Sequence, residues 1–332
     1  MKRVIKEVTT ENRMTPKREE LKGKNILVTG GAGAIGSNLV DKISEENNVI
    51  VLDDLSSGLL SNLEKSKHRI KFVKGSILDK EVLRKVVPQV EYVFHLAANV
   101  GNIKSIEDPG YDMEINVKGT LNVLEACKQA KITRIVYSSS AAIFGEAKYL
   151  PVDEDHPLNP ESPYAVSKLA AEKYCFAFYK VYGVPTTSIR YFNAYGPRLG
   201  TSGYPNVIPK FFGRIREGKP LQVFGDGEQT RDYLYVSDII QANILAATQP
   251  AAVGQIFNIA TGQGSSLNQL ISIINELNGK KTEVIYADFR VGEVKHSRAN
   301  IEKAKKVLGY SPKVDLKEGL RLTWQAEMSN VK

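Results

Sequence analysis

Tyr164 and Lys168, in Ser162-Pro163-Tyr164-Ala165-Val166-Ser167-Lys168, set a phenol and an ammonium four residues apart at the start of a long helix-forming run. Positions i and i+4 share a helix face, so the two groups can act on one atom. A free phenol titrates at about 10 and is a poor base at neutral pH unless nearby positive charge lowers that value. Tyr164 is the only one of the fifteen tyrosines followed four residues later by Lys. Because the same spacing is common on ordinary helix surfaces, the pair needs a second signal. Upstream, Ser138-Ser139-Ser140 closes an apolar strand run that starts at Arg134. Ligands bind at the carboxyl ends of strands in a parallel sheet, so a hydroxyl there can meet the oxygen that Tyr164 meets.

The second signal lies near the other end of the chain, where Asn25 to Thr29 reads as a strand and Ser37 to Glu45 as a helix. Between them Gly30, Gly33 and Gly36 fit G-x-x-G-x-x-G, and Gly31, Gly33 and Gly36 fit G-x-G-x-x-G. Small residues in such a turn let backbone N–H groups and a helix N-terminus approach a pyrophosphate. Asp53, at the end of the second strand run, stands near the spacing expected of a ribose 2′-OH contact, and Asp54 can share that role. An acid there repels a 2′-phosphate and the turn carries no Arg, which favours NAD over NADP. His95, at the end of the fourth strand run, reads as a packed residue with no role in the chemistry.

Further strand-length apolar runs follow at Val49 to Leu52, Ile70 to Val73, Tyr92 to Leu96 and Thr186 to Arg190, with helical periodicity at Met113 to Ala130 and Ala165 to Tyr182. Short buried strands alternating with helices predict a parallel sheet covered on both faces. Turn residues then become frequent, and the chain is expected to end in shorter helices around a last strand, Gln255 to Ile259. The pattern predicts an α/β protein, a doubly wound sheet followed by a smaller α/β lid, which 332 residues can accommodate.

Composition narrows the function classes. With 42% hydrophobic and 25% charged residues the chain reads as soluble and globular. It lacks an apolar run long enough to span a bilayer and a secretory signal, so a cytoplasmic location without a membrane partner is expected. Of the +8 net charge, residues 1–24 hold +4, from eight Lys/Arg against four Glu, and read as a loosely ordered leader. The remainder is dispersed, which argues against nucleic acid. Cys127 and Cys175 sit in helical runs outside any Cys/His cluster, so neither a metal nor a disulfide is expected.

Taken in order, Thr29 to Gly36, Ser138-Ser139-Ser140, Tyr164/Lys168 and Arg190-Tyr191-Phe192-Asn193 resemble the extended short-chain dehydrogenase/reductase family, in particular its nucleotide-sugar 4-epimerases, over about residues 24 to 325. The resemblance implies a Rossmann domain at 24–192 plus roughly 233–262, a nucleotide-sugar-binding domain at 193–232 and 263–332, a permanently bound NAD, and a homodimer through the two long helical runs. It makes Tyr164 the base, Ser140 its partner on the sugar O4, and Lys168 the neighbour of both the phenol and the nicotinamide ribose. The cofactor would run past Gly30, Gly33, Ala34, Ile35 and Gly36, reach Asp53, Asp54, Ser76 and Ile77 at its adenosine end, and meet Leu96, Ala97, Ala98, Asn116, Ser138 and Tyr191 toward the nicotinamide. The UDP-sugar would meet Ser139, Asn193, Val207, Val223, Arg231, Arg290, Glu293 and Ser297. Two segments depart from common forms: Ser76 stands where many relatives have an adenine-binding Asp, and the loop Asn99 to Lys104 has no assigned role.

Epimerase, 4,6-dehydratase and decarboxylase readings share oxidation at C4 and differ in the next side chains. In the resembling family, dehydratases follow the serine with Asp-Glu and UDP-glucuronate decarboxylases with Glu. Here Ala141-Ala142 follow Ser140, and neither transfers a proton. The segment Arg290 to Ser297 looks most like that of UDP-N-acetylglucosamine 4-epimerases, with Ser297 where glucose-restricted relatives carry a bulky tyrosine. A plain UDP-glucose 4-epimerase is the alternative.

Overall fold

The computed structural model describes residues 19–199, 207–289 and 294–329. Most of the leader, together with Arg290 and Glu293, therefore lies outside the described residues. Strand β1 (Asn25–Thr29) runs through the glycine turn into helix α1 (Ala34–Ile43), followed by β2 (Asn48–Asp53), β3 (Ile70–Lys74), α2 (Lys80–Val86) and β4 (Tyr92–His95). Next come α3 (Asn102–Glu107), α4 (Pro109–Met113), α5 (Thr120–Ala130), β5 (Arg134–Ser140), α6 (Pro163–Tyr182) and β6 (Thr186–Tyr191). Beyond them lie β7 (Asn193–Tyr195), α7 (Val207–Arg216), β8 (Leu221–Phe224), β9 (Thr230–Arg231), β10 (Tyr233–Tyr235) and α8 (Val236–Thr248). The described chain closes with β11 (Ile256–Ile259), β12 (Ser265–Ser266), α9 (Leu267–Asn278), β13 (Val284–Ala287) and α10 (Leu316–Ser329).

Seven strands form one parallel sheet in the order β11-β6-β5-β4-β1-β2-β3. The order reverses between β1 and β4, and that switch point is where an open α/β sheet leaves a crevice at its carboxyl edge. Alternation along the strands divides the core: Ile26 and Val28 pack with Leu39, Ile189 and Phe257 on one face, whereas Leu27 packs with Leu124, Ile135 and both buried thiols, Cys127 and Cys175, on the other. A third apolar cluster, with Phe211, Phe212, Val223, Leu270 and Leu320, gathers α7, α9 and α10 around the two-stranded β8–β13 sheet. No described helix is long and apolar enough to cross a membrane.

Two expectations need correction. Gln255 to Ile259 is not the last strand: it forms the edge of the large sheet as β11, and β12 and β13 follow it. β13 is four residues with a half-exposed pattern, and its strand identity comes from pairing with β8 about sixty positions earlier, which no local pattern displays. The helical run expected from Met113 starts instead at Pro109, capped by Asp108 accepting from the Tyr111 N–H at 2.9 Å, and widens into a π turn over Glu114–Gly119. Gly119 fits there because a Cβ on it would lie 2.4 Å from Ile77 Cδ1.

α6 starts and stops where the sequence directs. Ser162 Oγ accepts from the Ala165 N–H at 3.2 Å, Pro163 occupies the first turn where its missing donor costs nothing, and Gly183 ends the helix at φ 69°. Its inward face then presents Tyr164, Lys168 and Glu172 at four-residue intervals toward β5 and β6.

Candidate active site

The glycine turn is held by sterics and by one carboxylate. Gly30 has φ +69°, and a Cβ there would fall 2.6 Å from the Ala97 nitrogen; a Cβ on Gly36 would fall 2.2 Å from the Gly30 carbonyl oxygen. Both positions exclude a side chain, so α1 can begin directly against β1 and leave its first N–H groups facing the crevice. From β2, Asp53 accepts from the Ala32 N–H at 2.9 Å and the Leu55 N–H at 2.8 Å, which fixes the carboxylate beside the turn. Burial raises its pKa and the two backbone donors oppose that rise. Each oxygen keeps a lone pair for a ribose hydroxyl.

A cleft opens along the switch point. Every residue expected at the cofactor lines it except Asn116. That amide stands behind the wall, accepting from the Asn99 N–H at 2.8 Å and donating to Asn99 O, Asp112 Oδ1 and Ser167 Oγ at 3.1, 3.1 and 2.9 Å. It acts from there as a brace for the Asn99 loop and α6. Asp112, fully buried and also bonded to Asn99 Nδ2, is a residue that sequence reasoning missed.

Tyr164 and Lys168 line the far end of the cleft, and the Lys168 ammonium lies 4.5 Å above the Tyr137 ring. Burial pushes Tyr164 up to about 12 against the Ser140 hydrogen bond, and lowers Lys168 to about 8. The depression of the phenol expected from neighbouring positive charge is thus absent in the protein alone, where desolvation dominates. Tyr191 lines the same end, its hydroxyl 3.0 Å from Ser138 Oγ and bonded to Asn243.

Ser139 also borders the cleft, but its hydroxyl donates to Glu172 Oε2 at 2.7 Å. That leaves the Ser139 oxygen only as an acceptor toward the cleft. Glu172 in turn accepts from Arg190 Nε at 2.9 Å and Nη2 at 2.7 Å in a bidentate pair with no solvent exposure at the carboxylate. His95 is likewise spoken for. Thr120 Oγ1 donates to Asn116 O, so it accepts from His95 Nε2 at 2.9 Å; Nδ1 then accepts from Thr29 Oγ1 at 2.7 Å. Burial, with the Lys168 charge behind it, lowers this imidazole to about 3, and it stays neutral.

The residues expected at the sugar nucleotide are divided. Arg231 and Ser297 come together: the Ser297 N–H donates to Thr230 O at 3.1 Å and Arg231 Nη1 to Thr230 O at 2.9 Å. The adjacent Asp232, buried, accepts from Thr261, Gly262 and Ala299 and ties this strip to the large sheet. Asn193 pairs with Tyr233 beside it, and Val207 opens α7. Val223 is corrected: it lies fully inside the third apolar cluster, leaving no side-chain surface for a ligand.

Residues 26–260 match the NAD dependent epimerase/dehydratase family. The chain belongs to that family. A relative from Methanocaldococcus jannaschii, provisionally named a UDP-glucose 4-epimerase, is 43% identical over 299 residues, 89% of this chain and 96% of the relative. Among solved structures, the UDP-N-acetylglucosamine 4-epimerase of Methanobrevibacter ruminantium M1 in complex with UDP-N-acetylmuramic acid superposes with TM-score 0.89 at 37% identity, covering 93% of this chain and all of that one. The UDP-glucose 4-epimerase of Thermotoga maritima with UDP-glucose gives TM-score 0.88 at 40% identity with the same coverage. Other family relatives, at 30–32% identity, bear decarboxylase and 4,6-dehydratase names. The family's cofactor fits the cleft: bare backbone at Gly30 and Gly36 would face its pyrophosphate, and Asp53 would face a ribose.

Proposed function

We propose that the protein is an NAD-dependent 4-epimerase of a UDP-hexose. The observation that carries this reading is the pair Tyr164 and Lys168 at the end of the cofactor cleft, next to the β5 end at Ser140 that Ala141 and Ala142 follow. NAD, when bound, accepts one hydride and returns it. Tyr164 Oη takes the proton of the O4 hydroxyl as hydride leaves C4, and gives it back when the hydride returns to the opposite face. Ser140 holds the O4 oxygen against the phenol, and Lys168 places positive charge beside it. Ala141 and Ala142 supply no group that could remove a C5 proton or expel a C6 substituent, so the 4-keto sugar has only reduction open to it. Purified protein is expected to release NAD on denaturation and to interconvert a UDP-sugar without added cofactor. A requirement for added NAD(P)H, or no turnover, overturns the reading.

The nucleotide-sugar domain in this reading comprises residues 193–232 and 263–332, and the cofactor domain residues 24–192 and about 233–262. The preferred pair is UDP-N-acetylglucosamine and UDP-N-acetylgalactosamine, supported by a small residue at Ser297 beside Arg231. Return of the hydride requires the 4-keto sugar to rotate about its diphosphate, which swings the C2 substituent toward the pocket wall. An N-acetyl group needs room there, and overpacking a tight site costs roughly 1–3 kcal/mol, a ~5- to 150-fold preference. Ser297→Tyr is expected to lower kcat/KM for the acetylated sugars by about that factor while sparing UDP-glucose. If acetylated turnover is untouched, or native protein rejects acetylated sugars, UDP-glucose 4-epimerase becomes the better assignment.

The protein also acts as a homodimer in this reading. Met113, Val166 and Tyr174 expose apolar side chains on the two long helical runs while other faces of those runs cover the sheet. Light scattering at micromolar concentration should give twice the 36.7 kDa chain mass. A monomer contradicts it.

A further inference from the structure

The α3 side of the cleft carries a cation that no step above uses. Among the described residues, the charged ones lining the cleft are Asp53, Asp54, Lys104 and Lys168. The two acids repel a phosphate, and Lys168 sits over the Tyr137 ring beside the base. A diphosphate brings about two negative charges, and the glycine turn answers it with backbone N–H groups alone. Among the described residues that line the cleft, Lys104 is the remaining side-chain countercharge.

Lys104 is half-buried, and its ammonium has no hydrogen bond or ion pair among the described residues. Other surface lysines are engaged, Lys118 with Glu114 at 3.1 Å and Lys80 with Glu125 at 3.4 Å. The turn that carries it is braced. The Ser105 N–H donates to Gly101 O at 3.2 Å, buried Ser105 Oγ donates to Asn102 O at 2.8 Å, and Ser162 Oγ at the start of α6 donates to Asn102 Oδ1 at 3.2 Å. Lys104 is therefore a charge on a fixed wall of a cleft that already holds a phosphate-binding turn, within the loop that departs from the common pattern.

We propose that Lys104 binds the diphosphate of a nucleotide ligand in this cleft. The lining shared with the glycine turn and Asp53 favours the cofactor as its source. The proposal rests on the reading of the cleft as a dinucleotide site.

Full-length native protein, Lys104→Met and Lys104→Arg should be compared for NAD retained per protomer after dialysis, for the NAD dissociation rate, and for UDP affinity by calorimetry at low and high salt. A charge-assisted hydrogen bond of ordinary strength predicts that Lys104→Met sheds NAD about tenfold to a hundredfold faster. Lys104→Arg is expected to stay near native, UDP affinity to be unchanged, and the difference to shrink at high salt. If UDP affinity falls and NAD is retained, Lys104 binds the nucleotide-sugar diphosphate instead. If native protein holds NAD and Lys104→Met changes neither quantity, the proposal is overturned while the epimerase reading stands. Native protein that carries no NAD overturns both.

Discussion

Tyr164→Phe is expected to keep the fold and the bound NAD and to lose about 10²-fold or more in turnover, because only the proton-transfer group is removed. Phe fills the same half-buried space at the start of α6, so thermal stability should change little. The pH dependence adds a second readout. Burial places the phenol at about 12, and a base works only in its deprotonated form, so native turnover should rise with pH across the neutral range. NAD bound with its positive charge moves that limb to lower pH. Above about 8 Lys168 loses its proton and the charge beside the phenol, and turnover should stop rising or fall. The mutant should lack the rising limb. A mutant at native rate, or one that retains the limb, would remove Tyr164 from the role of base.

Glu172→Gln is expected to cost roughly 3–5 kcal/mol of folding stability, because it leaves the Arg190 guanidinium buried without its counter-ion. Arg190 is 1% exposed and Glu172 has no exposure, so water cannot replace the lost carboxylate. Among the described residues, that guanidinium makes one other hydrogen bond, from Nη1 to Glu154 O at 3.1 Å. At about 2–4 °C per kcal/mol for a large domain, the midpoint should fall on the order of 10 °C. Ser139 loses its charged acceptor in the same change, so kcat should decline even at temperatures where the mutant is folded. The double variant Glu172→Leu/Arg190→Met should recover most of the stability, since replacing a buried pair with apolar groups is often neutral. A loss below about 1 kcal/mol in the single variant, measured by reversible denaturant unfolding, would show that the pair does not carry the weight its burial implies.

The large sheet, the glycine turn, the placement of Asp53 and the Tyr164/Lys168 register were legible along the chain, since these follow from local rules. Strand and helix periodicity, the Cβ-free requirement at Gly30 and Gly36, and the Ser162-Pro163 start of α6 act within a few residues of one another. The same local rule could have found Glu172, which continues the Tyr164, Lys168 spacing by four more positions. What it meets could not be read that way, because Arg190 and Ser139 reach it from β6 and β5 across the sheet. Tertiary structure alone decided that Asn116 braces the wall instead of facing the cleft, that Ser139 is turned to Glu172, and that Val223 belongs to an apolar cluster. It also decided that Arg231 and Ser297, far apart in the chain, share one strip held by Asp232. Each of those outcomes depends on which of several competing partners a polar or apolar side chain finds within a few ångströms. That competition is settled by how α6, the π turn and the late strands pack, and the order of residues along the chain does not display it.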